Sequence, residues 1–196
     1  SLTETGCAQA LAAGLFLRDF YTSSNTTEWP RIFVSPYQRT LETLRGLYDG
    51  VKDAFEGLEP PQLHEDVRLA EKFFGALAYL EHGPHGLPED LKNAFQALSS
   101  ATYKNDPFTA ATLFGDSDIN IHSRIKGFID GTLSRDVEEG GQDFLIVTHG
   151  AVIQAFIMAW AHCPMRSKAQ IGNPGNCDVI EISGQRKNWT IQAIYD

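Results

Sequence analysis

The chain has 196 residues, of which 42% are hydrophobic and 21% charged, and this composition is typical of a globular domain and excludes a largely disordered or fibrous chain. Sixteen Lys and Arg residues against 25 Asp and Glu residues give a net charge of −9, so neither a nucleic acid nor an anionic membrane surface is expected as a partner. A small anionic substrate is compatible with this charge, because its site needs only local positive charge. No apolar run of the sequence reaches the roughly 18 residues of a membrane helix.

The cysteines point to a reducing environment. Their odd number and wide spacing predict neither a metal site nor a disulfide framework (Cys7, Cys163 and Cys177). We therefore expect idle thiols and a cytoplasmic protein.

The predicted elements of the first half alternate between helices and strands. Thr3 is a strong cap for a helix that continues to about residue 20. Its apolar positions predict a buried face made of Cys7, Leu11, Leu15, Ala8, Ala12 and Phe16. The apolar residues 31–34 indicate a short buried strand, a helix is expected over residues 37–48, and residues 62–69 are expected to hold another strand.

The second half continues this alternation. Residues 76–114 are rich in Gly and Pro around one predicted helix at residues 89–98, and we expect this segment to cap a site. Ser117 is expected to cap a helix with Ile121, Ile125, Phe128, Ile129 and Leu133 on its buried face. A turn at residues 138–142 precedes a buried strand at residues 144–147 and another helix. Two further strands are predicted at residues 178–182 and 189–195.

This pattern predicts an α/β fold: a mostly parallel central sheet covered by helices on both faces, with an inserted helical or loop cap, in a single domain over residues 1–196. Ligands of such sheets bind beyond the carboxyl ends of the strands. The candidate site therefore includes residues 35–39 and 148–150, which follow the two most apolar strands.

His149 lies where a buried strand turns into a helix. Gly150 allows a close approach of the backbone to a ligand, and the helix start offers free N–H groups to an anion such as phosphate. The alternative is a structural histidine whose polar atoms are hydrogen-bonded within the core and that binds no ligand.

Arg39 and Glu71 are further candidates. Arg39 lies in the first turn of a helix, and its guanidinium suits phosphate oxygens; alternatively it is a surface arginine paired with Glu42 or Asp49. Glu71 precedes the aromatic pair Phe73 and Phe74, and an apolar setting of this kind could hold a proton for donation. The alternative is an exposed loop carboxylate.

Neither a metal nor a cofactor is predicted, since no ligand cluster and no glycine-rich nucleotide loop occurs in the sequence.

Taken in order, six segments resemble motifs of the histidine phosphatase superfamily, which includes phosphoglycerate mutases and many phosphatases. The segments are Leu2-Thr3-Glu4-Thr5-Gly6 with Gln9-Ala10 (L-T-x-x-G-x-x-Q-A), Ser35-Pro36-Tyr37-Gln38-Arg39-Thr40 with Glu42-Thr43 (S-P-x-x-R-T-x-x-T), Leu69-Ala70-Glu71-Lys72-Phe73-Phe74-Gly75 (L-x-E-x-x-F/Y-G), Gly115-Asp116-Ser117 (G-E-S, with Asp in place of Glu), Val147-Thr148-His149-Gly150 (V-T/S-H-G) and Asn173-Pro174-Gly175-Asn176-Cys177 (P-x-N).

The resemblance implies a metal-independent phosphatase of a small-molecule phosphomonoester that acts through a phosphohistidine. Arg39 and His149 would bind the phosphoryl group together with Ser35 and Gly150, and Glu71 would be the proton donor. The nucleophilic His and a second Arg of the family belong to an R-H-G motif before L-T-x-x-G. We expect that motif upstream of Ser1; the alternative is a non-catalytic phosphate-binding or scaffold relative.

A phosphatase is favoured over a phosphoglycerate mutase, the other alternative, because the Arg- and Pro-rich insert that mutases carry after L-x-E-x-x-F/Y-G is absent from the sequence. The sequence predicts neither the natural substrate nor the oligomeric state.

Overall fold

A computed structural model describes residues 1–24, 26–75, 88–112, 114–134, 143–185 and 188–196. Contacts within the chain divide it into two compact units. The first contains Ser1–Ala70, Ser134–Gly150 and Asn173–Asp196, and the second contains Glu71–Leu133 and Ala151–Gly172.

A parallel sheet of three strands organises the first unit. Strand β1 (Arg31–Val34) lies between β2 (Leu63–Glu65) and β3 (Phe144–Val147). Val34 lies in register with Glu65 of β2 and Val147 of β3, so the carboxyl ends of all three strands meet at one edge.

Strand β2 is shorter than the predicted strand over residues 62–69. Val67–Leu69 forms a turn of 3-10 helix instead of continuing the strand. The reason is local, because the Asp66 side chain accepts a hydrogen bond from the N–H of Arg68 and so caps this turn.

Two helices pack tightly against each other in this unit, α1 (Glu4–Ser23) and α2 (Gln38–Val51). Thr3 caps α1 as predicted, accepting from the N–H of Gly6. The predicted buried face of α1 is wrong: Leu11 and Leu15 are 43% and 40% exposed. Cys7, Ala8 and Ala12 are exposed as well, and Phe16 is half-buried.

The buried residues of α1 are instead Ala10, Ala13, Gly14, Leu17 and Tyr21. Small side chains decide this orientation. A Cβ at Gly14 would lie 2.4 Å from the carbonyl oxygen of Leu47, and one at Gly50 would lie 2.6 Å from the carbonyl carbon of Gly14. The two helices therefore meet along their smallest residues.

The core of the first unit lies between these helices and one face of the sheet. Its members are Ala13, Leu17, Tyr21, Ile32, Val34, Leu44, Leu47, Val51, Phe55 and Val147. Phe33, which points to the opposite face by the alternation of the strand, stacks on His64 with 5.2 Å between the ring centroids.

Strand β3 occupies residues 144–147 as predicted, but only Val147 is fully buried. Phe144, Leu145 and Ile146 are half-buried, and among the described strands β3 pairs with β1 alone. The two predicted terminal strands are confirmed as an antiparallel pair, β4 (Val179–Gln185) and β5 (Asn188–Tyr195).

The second unit is built from helices. Helix α3 (Glu89–Asn105) is longer than predicted and buries none of its residues, while α4 (Asp118–Phe128) continues into a π turn (Ile129–Leu133). Ser117 forms a capping box with Asn120, and the predicted buried face of α4 and its π turn is confirmed. Helix α5 (Gly150–Trp160) follows β3.

The α/β class, with a parallel sheet flanked by helices, is confirmed. The cap and the single-domain organisation stay predictions. Residues 76–87 and 113 of the expected cap lie outside the described residues, as does the turn at residues 138–142. None of the helices in the described part of the chain is both long and apolar enough to cross a membrane.

Candidate active site

Ser35 and His149 come together because β1 and β3 are neighbours. The N–H of Ser35 donates to the carbonyl of Val147 at 3.0 Å, which extends the ladder beyond the end of β1. Ser35 is fully buried, and its Oγ lies 2.8 Å from Nε2 of His149. Thr148, between the strand and His149, donates from its hydroxyl to the carbonyl of Leu69 at 2.8 Å.

The imidazole of His149 is held on both nitrogens. Arg39 approaches Nδ1 with Nε at 3.3 Å and Nη2 at 3.1 Å. A guanidinium can only donate, so we infer that Nδ1 accepts and that Nε2–H donates to Ser35. This assignment makes the imidazole neutral while Arg39 carries the positive charge.

Arg39 reaches His149 because of the way α2 begins. The hydroxyl of Thr40 donates to the carbonyls of Ser35 and Tyr37, at 2.8 and 2.6 Å, and fixes the bend between β1 and α2. The Tyr37 ring lies edge-on to His149, with 5.2 Å between the ring centroids, and the Arg39 guanidinium carbon lies 5.2 Å from the same ring. Sequence reasoning did not single out Tyr37, although it stands inside the S-P-x-x-R-T segment.

The alternative partners considered for Arg39 are engaged elsewhere. Glu42 accepts from the N–H of Leu2 and from the side chain of Gln38, and these bonds lower the pKa of its carboxyl. Asp49 pairs with Lys52. Arg39 is solvent-exposed but lies on the imidazole, and it therefore presents a cation to ligands at the carboxyl edge of the sheet.

Gly150 is required by its surroundings. A Cβ at this position would lie 2.7 Å from Oδ1 of Asn173. Asn173 therefore lies against the start of α5, next to His149. Its position in the P-x-N segment was the only sequence signal for it.

These residues can bind an anion. The buried imidazole of His149 and the exposed guanidinium of Arg39 lie together at the strand ends, and Gly150, the first residue of α5, follows His149 directly. Within the described residues, no three His, Cys, Asp or Glu side chains are grouped as a metal site would require.

Glu71 belongs to the second unit, and its catalytic role stays a prediction. It is half-buried, so it is not the exposed loop carboxylate of the alternative interpretation. Its Oε1 accepts from the N–H of Lys72 at 2.9 Å. The expected apolar setting is not formed by Phe73 and Phe74, which are 53% and 46% exposed.

The whole chain matches one known family. A sequence model of the histidine phosphatase superfamily (branch 1) matches residues 1–196. The chain belongs to this superfamily. The phosphoglycerate mutase-like protein AT74 of Arabidopsis thaliana is 26% identical over 188 residues, covering 91% of this chain and 54% of the relative. AT74H of the same plant is 24% identical, covering 92% of this chain and 64% of the relative. The chain thus spans about half to two thirds of the length of these two relatives.

Solved structures share the histidine phosphatase fold. A mycobacterial glucosyl-3-phosphoglycerate phosphatase in complex with inorganic phosphate superposes with a TM-score of 0.71 at 21% identity, covering 100% of this chain and 87% of that protein. The α-ribazole phosphatase of Shigella flexneri has a TM-score of 0.72 at 21% identity, covering 100% of this chain and 84% of that protein.

Proposed function

We propose that this chain carries most of the active site of a metal-independent phosphomonoesterase whose reaction passes through a phosphohistidine. The observation that carries the proposal is the contact of Arg39 with Nδ1 of His149, whose Nε2 meets Ser35 at the carboxyl ends of two neighbouring strands. The structural similarity to two phosphatases supports the same reaction class. The substrate is a small-molecule phosphomonoester.

In this reaction a neutral imidazole of another histidine attacks phosphorus, and the bond between phosphorus and the leaving oxygen breaks. Arg39 stabilises the charge that spreads over the phosphoryl oxygens, and His149 adds to this once its Nδ1 carries a proton and donates to a phosphoryl oxygen in place of accepting from Arg39. Glu71 donates a proton to the leaving oxygen, an assignment that rests on the L-x-E-x-x-F/Y-G match. Water then cleaves the phosphohistidine, and the Glu71 carboxylate takes up the proton of that water.

The attacking histidine is proposed to belong to an R-H-G motif that precedes Ser1 in the protein. The edge of β3 supports this assignment. Its residues are apolar, yet Phe144, Leu145 and Ile146 are only half-buried, and β3 pairs with a single strand among those described. An apolar strand of this kind suits the interior of a parallel sheet, with a second neighbour along its open edge.

Hydrolysis of p-nitrophenyl phosphate by the full-length protein in excess EDTA tests this function. We expect activity in EDTA and a loss of at least about 100-fold in kcat/KM for His149→Ala. His162→Asn is the matched control, because His162 is exposed and its φ of 51° is tolerated by Asn. Loss of activity on chelation, or unchanged kcat/KM in His149→Ala, would contradict the proposal.

A phosphoglycerate mutase is the second candidate, favoured by the names of the two Arabidopsis relatives. Incubation with 3-phosphoglycerate separates the two activities. A phosphatase releases inorganic phosphate, whereas a mutase transfers the phosphoryl group to the second hydroxyl. A protein that binds phosphate but turns over neither substrate would be the non-catalytic relative.

A further inference from the structure

The segment that contains Glu71 is held at nearly every residue by the rest of the second unit. The carbonyl of Glu71 accepts from Nη2 of Arg124 at 3.2 Å, and the carbonyl of Phe74 accepts from the hydroxyl of Thr112 at 2.7 Å. Phe73 is held in both directions, because its N–H donates to Oδ2 of Asp116 at 3.0 Å and its carbonyl accepts from the Asp116 N–H at 2.7 Å.

Lys72 anchors the same segment through an ion cluster. Its Nζ lies 2.8 Å from Oδ1 of Asp118, and Nζ of Lys168 lies 2.5 Å from Oδ2 of the same carboxylate. The Asp118 side chain is 3% exposed, and the two lysine side chains are 14% and 22% exposed. One buried carboxylate therefore ties residues 71–75 to the first turn of α4 and to the 3-10 helix Met165–Gln170.

We propose that Asp118 is a positioning residue for Glu71: its carboxylate, held between the ammonium groups of Lys72 and Lys168, fixes residues 71–75 and with them the direction of the Glu71 carboxyl. The inference rests on the proposed role of Glu71 as the proton donor. Asp118 itself does not contact the reacting atoms in this assignment.

Geometry and energetics favour positioning over general stabilisation. A buried ion cluster gains little net stability over well-packed apolar residues, because desolvation offsets most of the attraction, but its fixed distances hold the attached backbone in one arrangement. Proton donation needs such an arrangement, since a displacement of about 1 Å can cost about 100-fold in rate. Glu71 is bonded directly to Lys72, so any displacement of the Lys72 backbone is passed to it.

Two substrates of the full-length protein separate positioning from folding. An alkyl phosphate such as glycerol 2-phosphate has a poor leaving group that needs a proton, whereas p-nitrophenolate leaves without one. We expect Asp118→Asn to lower kcat/KM for the alkyl phosphate by about 10- to 100-fold, a part of the roughly 100- to 10,000-fold that general acid catalysis contributes, and for p-nitrophenyl phosphate by less than about threefold. When Glu71→Gln is already present, Asp118→Asn should no longer lower kcat/KM for the alkyl phosphate selectively, because the two residues would act through the same proton donation.

The matched control is Asp130→Asn, the same chemical change in the exposed pair of Asp130 with Lys126, and it should leave both substrates unaffected. Lys72→Met supplies a second variant and should reproduce the selective loss. Hydrogen exchange of the amides in residues 72–74 should accelerate in Asp118→Asn but not in Asp130→Asn.

The outcomes distinguish this inference from the proposed function. If the wild-type protein hydrolyses neither substrate, the proposed function fails and the positioning role fails with it. If the wild-type protein is active but Asp118→Asn lowers both substrates equally, or leaves the exchange of residues 72–74 unchanged, only the positioning role is overturned.

Discussion

Ser35 Oγ lies 2.8 Å from Nε2 of His149, although 114 positions separate the two residues in the chain. Both residues are buried, so the bond cannot be replaced by one to bulk water. The relationship makes Ser35 the residue that sets the orientation of the imidazole, while Arg39 covers its other nitrogen.

Ser35→Ala should therefore destabilise the protein and weaken catalysis together. It leaves the buried Nε2 of His149 without its oxygen, which costs about 1–3 kcal/mol of unfolding free energy. Urea unfolding measures this cost, and kcat/KM should fall in parallel. Thr102→Ala removes an exposed hydroxyl bond to the carbonyl of Leu98 in α3 and serves as the control. Equal unfolding free energies of the two variants would show that the contact of Ser35 with His149 does not stabilise the protein.

Arg39→Lys tests whether the planar guanidinium of Arg39 contributes more to catalysis than its positive charge alone. Lysine keeps the positive charge but cannot approach Nδ1 and a phosphoryl oxygen with several fixed N–H groups. We expect kcat/KM to fall by about 100-fold and inorganic phosphate to inhibit more weakly. Arg45→Lys, an exposed position on the same helix, should change neither value. Full activity of Arg39→Lys would show that Arg39 contributes only its positive charge and not the planar geometry of its guanidinium.

Replacing glycine by alanine should have opposite effects on stability at two positions. One is Gly14, at the contact between α1 and α2, and the other is Gly127, on α4. Gly14→Ala forces its Cβ to within 2.4 Å of the Leu47 carbonyl oxygen and should cost about 1–3 kcal/mol of unfolding free energy through overpacking. Gly127→Ala meets no atom within 4 Å in α4 and should gain about 0.5–1 kcal/mol. Denaturant midpoints measure both, and a neutral Gly14→Ala would mean that the helices can separate at little cost.

Asp118 should make the protein sensitive to acid. Burial acts to raise the pKa of its carboxyl, but hydrogen bonds from Lys168 and Lys72 outweigh burial and hold the pKa below its ordinary value. A folded pKa below the unfolded one contributes stability that is fully present above the unfolded value of about 3.9 and is lost as the pH falls toward the folded pKa.

Unfolding free energies measured from pH 7 down to pH 3 check this prediction. Asp118→Asn should be less stable than the wild type at pH 7, and its stability should decline less over the acidic range. If both proteins lose the same free energy between these pH values, Asp118 does not contribute to the acid dependence.

Local physics made several elements predictable. Thr3 and Ser117 cap their helices because a side-chain oxygen next to free N–H groups needs no tertiary information. The apolar residues of β1 and β3 likewise identify both strands, and the end of each strand identifies Ser35 and His149 as neighbours.

Other features depend on packing that no local pattern contains. The periodicity of α1 marks Leu11 and Leu15 as buried, yet the close approach of Gly14 to Gly50 turns the helix so that its small residues face inward. The ion cluster joins Asp118 to Lys72 and Lys168, which are 46 and 50 positions away in the chain, and no local sequence pattern predicts contacts at such separations.

The open edge of β3 has a consequence for handling the molecule. Phe144–Val147 is a short, uncharged strand whose outer backbone groups have no strand partner among the described residues. Such edges add strands from other molecules and seed aggregates. We expect protein produced as these 196 residues to self-associate with rising concentration, which sedimentation or light scattering would detect as a growing mean mass.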